Sequence, residues 1–409
     1  MPSADARSGG WRDGRPIRLT ILATGLLLAA CAGHPNWSLN GRIGQTTEAD
    51  TNLGLDPDSQ DFVVTTSLNT GFSLAGQSPR SWFSADLDFA ARYYLGETDQ
   101  LSDTYRIDLP RLALQGGYQG KTYTLSSRAS VATRSTAFSR FDELGTDPID
   151  DDIDDFFTDT DADATQITAT VGADLDLALD QLNRVRFGVD ARQVEFTGDD
   201  AGLTPTRTIR NTARWSRQLS QTSTMMLSTA LRHFAADDDE DRRSQTLTVQ
   251  AGLTHQRTPR HTFRISGGAT GVRTTSDSSS EPEFDIRFTG GAGLDYTLKS
   301  FTAGINLSQN VAPSSEEGAL QTFTRLTGNL NYAVNSRQSL GATASYARRA
   351  ELSGGGDVDQ LLSIGPSYNL ALTRDTSLSL GYFYRLNLED AGTADGHRVF
   401  LSISHALDF

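Results

Sequence analysis

The chain has 409 residues, carries a net charge of −15 and a pI near 4.8, and is only 37% apolar. That charge excludes a nucleic-acid partner, and the apolar fraction is thin for a packed soluble core of this size. A single cysteine, Cys31, excludes a disulfide framework.

The N-terminus reads as a targeting segment. Arg12, Arg15 and Arg18 precede "LTILATGLLLAACAG" (19–33), an uncharged run too short to span a membrane comfortably but suited to a signal-peptide core. Residues 1–33 are therefore expected to be a signal peptide and 34–409 a single domain outside the cytoplasm. Within it, "LAAC" (28–31) resembles a lipobox, which would make Cys31 an acylation site. Ordinary cleavage beside Ala30 and Ala32 is the other reading.

Beyond Gly33 the pattern has a period of two and no sustained helical repeat. In "QITATVGADLDLAL" (166–179), Ile167, Ala169, Val171, Ala173, Leu175, Leu177 and Leu179 fall on one face. Gln166, Thr168, Thr170, Gly172, Asp174 and Asp176 fall on the other. Such alternation defines a strand with one apolar side. Eighteen strands are predicted, at 36–47, 60–75, 81–95, 104–117, 121–137, 164–179, 183–196, 205–219, 223–235, 244–256, 262–274, 283–298, 301–312, 321–334, 338–349, 359–373, 376–387 and 397–409. Most exceed the mean globular strand of roughly 5–6 residues and match the roughly 9–11 needed to cross a bilayer at a tilt. The segment 104–117 is the least regular, because Pro110 interrupts it.

Short and long connections take turns. "YQGK", "SQT", "RTPR" and "NSR" are short; 138–163, "ADDDEDRR", "TSDSSSEPE" and "EDAGTADGH" are long. This arrangement predicts an all-β fold: an antiparallel up-and-down transmembrane β-barrel, with short periplasmic turns and longer acidic extracellular loops. An even strand number puts both termini in the periplasm. Three features favour a membrane barrel over a soluble sandwich. The apolar stripes are long although total apolar content is low. Aromatics such as Trp37, Trp82, Tyr93, Tyr94, Phe196 and Tyr332 gather near strand ends, where interfacial girdles form. Charges mostly avoid the stripes, and exceptions such as Arg217, Arg273 and Arg348 lie near strand ends. The closing "LSISHALDF" completes the pattern. With Phe409 last and Leu407, Ile403 and Leu401 on one face, it resembles the terminal strand that the barrel-assembly machinery reads in bacterial outer-membrane proteins. The implied partners are outer-membrane lipid, lipopolysaccharide and that machinery.

The opening third (44–96) also resembles barrels of exopolysaccharide and PEP-CTERM export systems, in its Asp/Asn-rich loop, "DFVVTT" strand and long amphipathic strand. The later "LSQNVAPSSEEGALQTFTRLTGNLNYAVNSRQSLGATASY" (307–346) is similar to their hairpins. Asp50-Thr51-Asn52 departs from the usual Asp-Asn pair. The resemblance implies a barrel tied to polysaccharide or surface-protein export, with polysaccharide as a partner.

Two constellations could carry chemistry. Arg184, Arg186, Arg192, Arg210, Arg214, Arg232, Arg264 and Arg287 fall on predicted inward positions of strands seven to twelve. Asp86, Asp88, Asp108, Asp174 and Asp176 fall inward on strands three, four and six. A basic and an acidic arc could set up a transverse field across a water-filled pore, or the same residues could form interior salt-bridge ladders. The second constellation is the loop 141–164, which holds eleven acidic residues. Asp159, Asp161 and Asp163 have the opening spacing of a calcium loop, but the glycine and glutamate that complete one are missing. A solvated acidic loop is the reading, and no cofactor is expected. Scattered histidines and the absence of nucleophile motifs speak against an enzyme. The expected function is a porin-like channel for small solutes or glycans. The alternative is a non-conducting structural barrel of an export system.

Overall fold

The computed structural model describes residues 36–52, 55, 62–97, 105–135, 164–198, 203–237, 242–275, 283–313, 320–351, 358–389 and 392–408. Eighteen strands run through them: β1 (Asn36–Thr51), β2 (Phe62–Gln77), β3 (Ser81–Glu97), β4 (Tyr105–Gln119), β5 (Tyr123–Ser135), β6 (Ala164–Ala178), β7 (Asn183–Gly198), β8 (Thr206–Gln218) and β9 (Ser223–Ala236). The second half contributes β10 (Arg243–Thr258), β11 (His261–Thr275), β12 (Glu283–Thr297), β13 (Phe301–Pro313), β14 (Leu320–Ala333), β15 (Gln338–Glu351), β16 (Val358–Ala371), β17 (Thr376–Glu389) and β18 (Gly392–Asp408). Each pairs antiparallel with its sequence neighbours, and β1 pairs with β18 from Asn40↔Asp408 to Thr51↔His397. The sheet is therefore a closed barrel, the form in which strands can lie in hydrocarbon without an exposed edge.

The apolar stripe is turned outward. Leu39, Ile43, Leu68, Phe72, Val189, Leu231, Leu253, Ile305, Leu401 and Ile403 are all exposed. In water such a surface would drive aggregation; in an outer membrane it is the lipid face. The protein is an outer-membrane transmembrane barrel with both termini at the periplasmic mouth, and lipid is its surroundings. Leu407 shares the outward row with Leu401 and Ile403, and Phe409 lies outside the described residues. Tyr94 and Phe196, expected in the girdles, instead point inward and are buried. They stand opposite the inward Thr65 and Gln166, so the pleat, not their aromatic character, decides their side.

Strand boundaries follow the predicted ones closely except at the last hairpin. The segment "EDAGTADGH" is not a loop: β18 begins at Gly392 and pairs with β17 through Glu389↔Gly392, Leu388↔Thr393 and Leu386↔Asp395. Its Gly, Asp and Ala composition imitates a loop, but the ladder continues upward from the wall. Pro110 sits at an irregularity in β4, between Asp88↔Arg111 and Ala90↔Asp108, where β4 carries one extra residue. Proline has no N–H to give to a ladder, and a bulge accommodates it. Beyond it, β4 follows β3 alone; pairing with β5 stops at Leu112↔Val131.

Six of the eight short turns share one chemical device. A polar side chain at the first turn position accepts a backbone N–H two residues on. Ser78 accepts from Arg80, Ser220 from Thr222, Thr258 from Arg260, Asn335 from Arg337 and Thr373 from Asp375. Asp180 goes furthest. Its Oδ1 accepts the Leu182 and Asn183 amides at 2.7 and 2.8 Å, and its Oδ2 accepts the Asn183 side-chain amide at 2.7 Å. These side-chain turns fix the hairpin register locally. The Asn183 side-chain bond, reinforced by the two backbone amides, holds the Asp180 carboxyl below its usual pKa. Because the folded value is depressed, the turn is fully stabilised above the ordinary carboxylate range. That stabilisation is lost as pH falls through the lowered value. Carboxyl-resolved NMR should show Asp180 titrating below the ordinary aspartate value, and Asn183→Ala should move it back toward that value.

Candidate functional site

Because lipid takes the apolar face, the inner face is free to be polar, and it carries the charges. Arg184, Arg186 and Arg192 on β7, Arg210 and Arg214 on β8 and Arg232 on β9 all project to the inside. Arg186 stands directly opposite Arg214, and Arg210 lies between Asp190 and Arg232. Arg128, Arg186, Arg210, Arg214 and Arg232 line one inner cavity of about 420 Å³, together with Asp174, Asp190 and a row of hydroxyls from Thr212, Ser228, Thr246, Thr248, Thr270 and Thr289. Five arginines against two aspartates make this wall net positive. Arg264 and Arg287 lie further round, and each has its own acid. Arg264 bonds Asp295 at 2.5 Å, and the Arg287 Nε donates to Asp285 Oδ2 at 2.7 Å.

The acidic residues do not form a separate arc at β6. The Asp174 carboxylate is shared: Arg128 Nη1 donates to Oδ2 at 3.0 Å and Arg186 Nε to Oδ1 at 3.2 Å. Asp176 stands directly across from Arg186. Both acids thus belong to the arginine wall. Asp86 and Asp88 line a second cavity, of about 670 Å³, with Arg42 and Arg111, and Arg42 Nη2 donates to Asp88 Oδ1 at 2.6 Å. Asp108 faces Ala90 in register, and its side chain lies outside the described residues, as do Cys31, Asp159, Asp161 and Asp163.

A device invisible to single-strand reading links these charges across the sheet. Arg128 on β5 also donates to Asp190 on β7, spanning the intervening β6. The residue between them is Gly172, in register with both. A Cβ there would come within 2.2 Å of Asp190 Oδ1 and 3.1 Å of Arg128 Nε. The same geometry recurs on β1, β2 and β3, where Gly71 separates Arg42 from Asp88 and a Cβ would lie 2.5 Å from the Asp88 oxygen. Glycine at the middle strand is what lets arginine and aspartate meet over two strand spacings. Arg128, missing from the predicted arc, lines both cavities. Its inward alternation with Ser126 and Ser130 was the signal available for it.

Near the extracellular end the interior is packed rather than open. Leu55 is 1% exposed and clusters with Ala312, Phe323, Ala347, Leu361 and Ala394, which come from five strands of the inner wall. Beside it, Asp50 is buried between two arginines: Arg385 donates to Oδ1, and Arg398 Nε donates to Oδ2 at 2.8 Å. Asn52 Nδ2 donates to the Asp395 carbonyl, and the His397 N–H donates to Thr51 Oγ1. Asn52 and Leu55 both adopt left-handed backbone, with φ of 55° and 54°. The upper end of β1 is thereby locked to β17 and β18 at the strand pair that closes the barrel. With Arg385 only 1% exposed, deleting Asp50 breaks a buried ion pair, which typically costs about 3–5 kcal/mol. Asp50→Ala should lower the unfolding free energy of the barrel in lipid vesicles by that order, measured by urea titration. Arg42→Ala, removing a half-exposed pair, should change it by less than about 1 kcal/mol.

No protein-family model and no curated protein matches this chain. Solved structures do. The outer membrane protein OpdK from Pseudomonas aeruginosa superposes with a TM-score of 0.51 at 10% identity, covering 91% of this chain and 99% of its own. OpdK with vanillate gives the same values. OccAB4 from Acinetobacter baumannii gives 0.47 at 12% identity, over 91% and 98%. At these identities the likeness to OpdK concerns the fold, and it is an outer-membrane barrel along nearly the whole length. The resemblance to exopolysaccharide and PEP-CTERM export barrels is corrected by this. The fold that this chain shares is that of OpdK, an outer membrane protein. The stretches 44–96 and 307–346 that suggested export barrels are ordinary hairpins of the wall, β1–β3 and β13–β15.

Proposed function

We propose that this barrel is a porin-like channel that passes small solutes across the outer membrane and favours anions. One observation carries the reading: the cavity of about 420 Å³ whose wall presents five arginines, two aspartates and a row of hydroxyls on β5 to β12. Ion pairs hold Arg128 and Arg186 in place, and Arg210, Arg214 and Arg232 add net positive charge beside them. A low-dielectric barrel wall focuses that charge onto the lumen, raising the local concentration of anions. Threonine and serine hydroxyls replace part of the hydration shell of a passing solute, as polar pore linings do. The OpdK structure that holds vanillate fits a barrel with room for a small organic anion.

Targeting follows from the same reading. Residues 1–33 serve as the signal peptide, and the terminal strand is the segment that the assembly machinery reads. Lipopolysaccharide surrounds the outer end of the barrel.

Planar-bilayer recording tests the channel. The wild type should conduct and show a reversal potential displaced toward chloride in a salt gradient. Arg210→Gln with Arg214→Gln should shift that potential toward the cation and reduce anion-over-cation permeability several-fold. A wild type that inserts and stays silent, or a double variant with unchanged selectivity, would overturn the proposal.

A further inference from the structure

The barrel wall has a break in its hydrogen bonding on the extracellular side. Pairing between β12 and β13 runs from Thr297↔Thr302 up to Gly290↔Gln309 and stops there. Above that point β12 continues to Glu283 paired with β11, and β13 continues to Pro313 paired with β14. Among the described residues no ladder joins the two upper segments. At the fork, Gln309 Nε2 donates to the Phe288 carbonyl at 3.1 Å, a side chain standing where the next ladder bond would be.

The two sides do not merely gape; they overlap. Val311 and Leu320 occupy the face of the β13–β14 pair opposite Phe323, which points into the lumen. In an undivided wall they would face lipid. Instead both are buried against Val272, an inward residue of β11. Arg232 on β9 donates to the Val311 carbonyl at 3.4 Å, a contact that four strand spacings would forbid in a round wall. The top of β13–β14 has therefore slid inside β10–β12, forming a lap joint. Glycines make the bend possible: a Cβ on Gly268 would lie 1.9 Å from the Val249 carbonyl, and one on Gly290 2.6 Å from that of Ser266. On the membrane side, the upper β12 side chains Phe284, Ile286 and Phe288 are 68%, 64% and 63% exposed, against 49% for Leu401 and 43% for Ile403 in the undivided wall. They flank a strand edge without a neighbour.

We propose that this lap is a lateral portal joining the lumen to the outer leaflet, used by amphiphiles with an anionic head and a single apolar tail. The inference rests on the lumen being a channel and adds a second way out of it. Three features point to that occupant. The arginine-lined cavity extends to Thr289, Asn310 and Val311, which are the lips of the lap. Arg232 places its cation at the inner end of the passage. Val272, Val311 and Leu320 pack into an apolar seam that a tail would part on its way out, and Phe288 faces lipid beyond it. Charge at one end and hydrocarbon at the other match a fatty-acid-like carboxylate and no fully polar solute.

The full barrel, refolded into phosphatidylcholine vesicles, would be photolabelled with dodecanoate bearing a tail diazirine and mapped by mass spectrometry. Label should concentrate on 284–290, 310–312 and Leu320, and be competed by dodecanoate but not by butanoate. Val311→Asp should weaken it at least tenfold. Should that variant lack the heat-modifiable gel mobility of a folded barrel, the near-isosteric Val311→Thr is used, with an expected loss of about threefold. Label spread evenly round the outer face, as for bulk lipid, would overturn the portal, as would undiminished labelling of the folded variant. Chloride conductance recorded in parallel separates the two ideas. Conductance without lap labelling removes the portal alone; lap labelling without conductance removes the channel reading.

Discussion

A polypeptide in hydrocarbon has no water to satisfy its backbone, so every strand edge must find a partner. Here the demand is met by the β1–β18 ladder, which joins the chain's two ends. Its lower part is plain pairing, Asn40↔Asp408 onward. Its upper part is reinforced by Asp50, held by Arg385 and Arg398 beneath the tip of Leu55. Closing a ring is costly in chain entropy because the paired strands are the most distant in sequence. A buried charge contact, Asp50 between Arg385 and Arg398, ties β1 to the other end of the chain, where no local hairpin joins it.

Closure also determines where chemistry can sit. With the apolar face given to lipid, the inner face is released from packing and can accumulate charge. Arginine and aspartate alternate across β5, β6 and β7 through the gap left by Gly172, and a similar triplet spans β1, β2 and β3 through Gly71. Pairing fixes the side chains, while the excess of arginine leaves the wall positive. A net-positive wall of this kind is what the proposed preference for anions rests on.

Much of the fold was legible because a period of two is a strong signal when repeated eighteen times. The apolar row Ile167 to Leu177 announces β6, and side-chain turn formers such as Asp180 and Asn335 announce the hairpins. What escaped notice depends on neighbours rather than on single strands. Thr393 to Gly396 read as loop because composition outweighs pairing when a hairpin continues past the bilayer. Arg128 was overlooked, and the sharing of Asp174 between Arg128 and Arg186 was not foreseen, because an arc drawn strand by strand ignores a carboxylate shared between neighbours. Tyr94 and Phe196 were placed by residue type when the pleat had already placed them inside.

The lap at β12–β13 is the least legible feature, and its reason is instructive. Alternation assigns Val311 and Leu320 to the outer face, and within their own hairpin that is correct. What alternation cannot encode is that one stretch of wall slides behind another, so that an outer face meets an inner one at Val272. The only local trace is "FTGGAG" (288–293), where paired glycines remove the side chains that would stiffen the strand as its neighbour leaves. Closure of the ring and interruption of the ring thus draw on different resources. Closure at β1–β18 uses buried charge, and interruption at β12–β13 uses missing side chains. A barrel that needed only to be shut would have no use for the second.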